Sequence, residues 1–165
     1  MSRLKFTSDD IELACWRYFM PRRNIIVPNV SWGLMLHECD LLVVTPAGLA
    51  YEVEIKVSKA DILADRKKGH GHKDKRVARL YFAVPRHLEQ FAAANIPERA
   101  GLLTVAQPTS LWAQKQREAK LTSDYRWTAE QRFKLAQLGC MRLLPLLENL
   151  RRWKRDDEQA LVREI

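Results

Sequence analysis

The chain has 165 residues, 47% of them hydrophobic and 29% charged, with only 6 Gly and 7 Pro. That length supports one domain with a sizeable core, and that composition excludes the disordered and fibrous classes. The formal net charge of +8 favours a polyanionic partner, although a solvated basic surface accounts for charge alone equally well.

The positive charge is not spread evenly. Nine Lys and Arg against three Asp lie between Lys56 and Arg79, and Arg151, Arg152, Lys154 and Arg155 form a second cluster. No run of 18 apolar residues is present, so no membrane partner is expected. The N-terminal residues have no apolar secretory core, which predicts a cytoplasmic protein. Cys15, Cys39 and Cys140 are odd in number and form no C-x-x-C pair. Reduced thiols are therefore expected, and a cysteine zinc site is not.

Residues 9–19 read as a helix with Ile11, Ala14, Cys15 and Tyr18 on one face, capped by Ser8 or Asp9 and closed by Pro21. A short strand follows at 24–27, then a loop carrying Trp32. Residues 36–45 and 49–57 read as strands joined by Pro46-Ala-Gly48, which predicts an antiparallel hairpin. Residues 59–68 read as a helix broken by Gly69-His-Gly-His72. A strand at 80–84, a helix at 85–94 and a strand at 101–105 come next. Residues 108–125 are expected to hold a helical stretch flanked by loops. Thr128 and Gln131 form a capping box that opens a long amphipathic helix to about 152, kinked at Pro145. This order predicts a single α/β or α+β domain over 1–165 on a mixed sheet, with a C-terminal helical extension from about 108. The last helix either docks on its own domain or pairs two copies in a homodimer.

Alternation along a strand puts Glu52, Glu54 and Lys56 on one face and Tyr51, Val53 and Ile55 on the other. Asp40, in the preceding strand, is expected beside Glu54 and Lys56. Like charges in a sheet are unfavourable unless a cation compensates them. Mg²⁺ or Mn²⁺ suits two carboxylates plus waters that a phosphate can displace. Asp40 and Glu54 are the expected metal ligands, with the Ile55 carbonyl as a third. Lys56 would orient the attacking water or stabilise developing charge, and Glu12, on the first helix, could serve as an additional ligand or base.

Asp40, thirteen residues, then Glu54-Ile-Lys56 resembles the PD-(D/E)XK nuclease superfamily. Glu12 is similar to the helix glutamate of many members. Glu54-Ile-Lys-Val-Ser58, Asp61, Asp65, Lys67-Lys68 and Leu80-Tyr-Phe-Ala-Val-Pro85 resemble a bacterial and phage subgroup described as DNA-repair-like. The resemblance covers roughly residues 8–105, with Cys39 where the name-giving Pro would stand. It implies a restriction-endonuclease-like core and a metal-dependent deoxyribonuclease acting in repair, recombination or mobile-element biology. The alternative on the same fold is a non-catalytic nucleic-acid-binding module. A third reading is an unrelated basic protein with a solvated hairpin face.

Lys67, Lys68, His70, His72, Lys73, Lys75 and Arg76 follow the active-site strand and are the expected DNA contacts. His70 and His72 lack a second ligand pair, so a phosphate-contacting or plainly solvated loop is expected rather than zinc. Asp61 and Asp65 are expected as helix-surface partners for lysines or as minor positioning residues. Trp32 and His37 lie near the hairpin mouth and are candidate substrate contacts, with a core position the commoner role for Trp32.

Overall fold

The computed structural model describes residues 5–30, 33–34, 36–65 and 71–163, with side chains described through Arg155. Helix α1 (Ser8–Tyr18) opens with a capping box in which Thr7 accepts from the Asp10 amide and Asp10 accepts from the Thr7 amide. The cap is thus one residue earlier than Ser8. Strands β1 (Ile25–Val30), β2 (Cys39–Val44) and β3 (Ala50–Ile55) form an antiparallel meander. The β2–β3 turn needs Gly48 because its φ is +83°, and an added Cβ would lie 3.1 Å from the Trp127 carbonyl.

Helix α2 (Lys59–Asp65) then carries the chain across to β4 (Val77–Pro85), which pairs with β3 in parallel. A short 3₁₀ turn and α3 (Glu89–Asn95) lead to β5 (Gly101–Val105), parallel to β4. The six-stranded mixed sheet has the order β1-β2-β3-β4-β5-β6.

β6 (Gln114–Arg117) corrects the expected helix within 108–125. Gln114-Lys-Gln-Arg117 has no apolar alternation, so its own pattern was silent. The open edge of β5 supplies the hydrogen bonds that make it a strand. The helical region accordingly begins at α4 (Ala129–Met141), not near 108. The single kinked helix expected from Thr128 is two helices, with α5 spanning Leu143–Arg163. Pro145 explains the break: its ring clashes with the carbonyl four residues earlier, that of Met141, where α4 ends.

Each face of the sheet has its own core. On one, Ile11, Ala14 and Cys15 of α1 pack on Leu41, Val43, Val53, Ile55, Tyr81, Ala83 and Leu103. The other face holds two separate apolar clusters. Val27, Val30, Leu42 and Val44 of β1 and β2 pack under Trp127 and Leu135. Leu80, Phe82, Val84 and Leu102 of β4 and β5 pack under Ile62, Leu88 and Ala92. Between these clusters runs β3, which presents Glu52 and Glu54 there, both fully buried. Among the described residues no helix is long and apolar enough to cross a membrane, and all three cysteines are free thiols.

Candidate active site

The antiparallel register sets Leu42 opposite Glu52 and Leu41 opposite Val53, so one further step sets Asp40 opposite Glu54. Both point to the face that also holds Lys56, as alternation predicts. The Lys56 ammonium lies 2.6 Å from Oε2 of Glu54, 2.9 Å from Oδ1 of Asp65 and 3.9 Å from Oδ2 of Asp40. The same Asp40 oxygen accepts from the Ile55 amide at 2.7 Å. Three elements, β2, the end of β3 and the end of α2, therefore deliver carboxylates to one cation.

Exposure separates the roles of these carboxylates. A cleft of about 300 Å³ is lined by Asp40, Ile55, Lys56, Asp61, Ala64 and Asp65. The Asp40 side chain is 37% exposed, while that of Glu54 is wholly buried beneath the cleft. Glu12 is half-buried on α1. Burial, followed by the charges of Asp9 and Asp40, pushes its carboxyl up to about 6, against a smaller opposing effect of Arg142. Glu12 therefore stands within electrostatic reach of Asp40.

Behind the cleft the network continues through residues that sequence reasoning had placed elsewhere. His72 is 3% exposed, not part of a solvated loop. Its Nδ1 lies 2.5 Å from Oε1 of Glu52 and its Nε2 lies 2.7 Å from Oδ2 of Asp65. Carboxylates only accept, so both ring nitrogens donate and the ring is an imidazolium. Burial alone would lower its pKa, but the hydrogen bonds to Asp65 and Glu52 outweigh burial and raise it to about 9. His37 donates from Nε2 to the same Glu52 oxygen at 2.8 Å. Burial favours neutral Glu52, yet the hydrogen bonds from His37 and His72 dominate and hold its carboxyl at about 2. Lys56 is likewise penalised by burial but held above its ordinary value, first by Glu54 and then by Asp65. Asp40, Glu52, Glu54 and Asp65 thus gather around Lys56 and His72, and each of these two cations is shared between carboxylates.

Asp65 is the main residue that the sequence understated. Its place on a charged helix suggested a surface partner, whereas it is 7% exposed and bridges Lys56 to His72. Helical periodicity would have indicated this only with knowledge that Ile62 packs inward beside it.

Of the expected DNA contacts, Lys73 and Lys75 are exposed. His72 is withdrawn from that role by its burial. Arg76 is half-buried, with its guanidinium bound to Asp74 and to the Leu34 carbonyl, so it ties loops together rather than facing solvent. Lys67, Lys68, His70 and Trp32 lie outside the described residues.

No protein-family model and no curated protein matches the chain. A solved structure of a protein of unknown function from Silicibacter pomeroyi is similar over 90% of this chain and 94% of its own, with a TM-score of 0.61 and 22% identity. At that identity the likeness establishes the mixed α/β fold.

Proposed function

We propose that the protein is a Mg²⁺- or Mn²⁺-dependent deoxyribonuclease built on a restriction-endonuclease-like core. The element order α1-β1-β2-β3-α2-β4, with an antiparallel hairpin leading into a parallel crossover, supports that core. One observation carries the activity: a lysine and carboxylates from separate elements converge at the C-terminal end of β3, at an open cleft.

The site is rich in carboxylate oxygen, the donor a hard divalent ion takes: Asp40, Glu54 and Asp65 each bring one within 4 Å of the Lys56 ammonium. Asp40 and Glu54 would hold the ion, with the Ile55 carbonyl beside them. Such an ion, when bound, supplies charge neutralisation at the phosphoryl oxygens and an acidified water. Lys56 donates from Nζ to the attacking water or to a phosphoryl oxygen. Glu12, whose carboxyl is pushed up to about 6, would accept a proton. Exposed Lys73 and Lys75 hold the phosphate backbone, and the preferred substrates are those of repair, recombination or mobile-element processing.

Complete burial of Glu54 favours a second reading, a nucleic-acid-binding module that keeps the fold without cleaving. A plasmid-nicking assay with Mg²⁺, Mn²⁺ or EDTA separates the two. Metal-dependent nicking by wild type, absent in Asp40→Ala and Lys56→Ala, is the expected result. Retained DNA binding with no nicking under any metal would select the second reading.

A further inference from the structure

Two histidines converge on a carboxylate that the cleavage reading leaves unused. His37 comes from the segment before β2 and His72 from the segment before β4. Their Nε2 and Nδ1 lie 2.8 and 2.5 Å from Oε1 of Glu52, and the two rings meet edge to face with centroids 5.6 Å apart. The candidate ligand atoms of all three residues lie within 4.8 Å of one another. Glu52 is completely buried, and its other oxygen, Oε2, is buried without a hydrogen-bond partner among the described residues. Such an oxygen calls for a specific explanation, a bound ion being one. The far nitrogen of His72 faces Asp65 at 2.7 Å. Metal-binding imidazoles characteristically hold their second N–H on a carboxylate, which fixes the tautomer and leaves the near nitrogen for the metal.

We propose that His37, Glu52 and His72 form a binding site for a divalent transition ion of the zinc class, with Asp65 as the outer carboxylate that orients His72. Two imidazoles and one carboxylate suit Zn²⁺, Co²⁺ or Fe²⁺, whereas Mg²⁺ requires oxygen ligands. Tetrahedral ligands at about 2.1 Å from zinc stand roughly 3.4 Å apart, so each histidine must retreat from Glu52 by less than about 1 Å. The protons that His37 and His72 now direct at Glu52 leave to solvent as the ion binds. Oε2 of Glu52 is then available as a further ligand atom. The bound ion would tie both flanking segments to β3, beside the acidic cleft but distinct from the Asp40 position.

The test is a Co²⁺ titration of the EDTA-stripped full chain, read by visible absorption, with circular dichroism to check folding. One tight equivalent is expected, displaced by Zn²⁺ and indifferent to millimolar Mg²⁺. His37→Gln, at a partly exposed position, should keep the fold and weaken Co²⁺ by more than about 100-fold. Asp65→Asn should weaken it about 10–100-fold, as outer partners do. Asp40→Ala should leave Co²⁺ binding intact while removing any nicking, so failure of this site and failure of the nuclease reading give different results. Absence of a tight equivalent overturns the proposal. So does Co²⁺ binding that survives His37→Gln and is lost in Asp65→Asn, because the ion would then belong to the neighbouring group Glu54, Asp65 and His72.

Discussion

Replacing Lys56 with Met removes the ammonium while keeping most of the side-chain volume. Lys56 is 7% exposed and bound to two carboxylates, Glu54 at 2.6 Å and Asp65 at 2.9 Å, that are themselves buried. Two charge-assisted hydrogen bonds at about 1.5–3 kcal/mol each suggest a loss of about 3–6 kcal/mol. Truncating one partner of a buried ion pair costs about 3–5 kcal/mol, which agrees. Asp40 adds little, because at 3.9 Å and 37% exposure its attraction is screened by water. At about 2–4 °C per kcal/mol for a chain of this size, Lys56→Met should melt about 6–24 °C lower in EDTA. Excess Mn²⁺, at 100 times its Kd, should restore about 2.7 kcal/mol, because a cation replaces the lost ammonium. The gain from Mn²⁺ should also be larger in the variant than in wild type, where Lys56 competes for the same carboxylates. Urea unfolding with and without Mn²⁺ measures both quantities. A variant within about 1 kcal/mol of wild type in EDTA would refute the view that Lys56 balances this buried charge.

Further perturbations test the other residues of the site and the sheet. Asp40→Asn keeps an acceptor for the Ile55 amide, so it should abolish Mn²⁺-dependent nicking while shifting the urea midpoint little. Replacing exposed Lys73 and Lys75 with Gln should flatten the salt dependence of DNA binding by up to about two units of log–log slope, roughly 0.9 per lost phosphate contact. An unchanged slope in filter binding would assign those lysines to ordinary surface. Gly101→Ala should destabilise by about 1–3 kcal/mol, because its Cβ would lie 2.3 Å from the Tyr81 ring; thermal melting checks it.

Local patterns in the sequence determined much of this protein. Alternation placed Glu52, Glu54 and Lys56 on one face of β3. The Gly48 turn set β2 antiparallel to β3, and that pairing brought Asp40 to the same end. Thr128 with Gln131 marked the start of α4, because both halves of a capping box lie within four residues. These features depend on neighbours in the chain or on one strand pair, and such interactions are written in spacing.

Burial and partnership across the sheet were decided only by the tertiary structure. Glu52, His37 and His72 come from three segments that meet because β4 returns parallel to β3, and nothing within Lys73-Asp-Lys-Arg76 or its flanks reveals that His72 turns inward. Asp65 reads as a surface residue until α2 packs Ile62 into the apolar cluster over β4 and β5. β6 is a strand because β5 offers an unfilled edge, not because Gln114-Lys-Gln-Arg117 prefers one. A charged side chain is exposed or buried according to what packs over it, and here the covering elements are α2 and the segment before β4. Their placement depends on contacts between residues distant in the chain, which no local periodicity encodes.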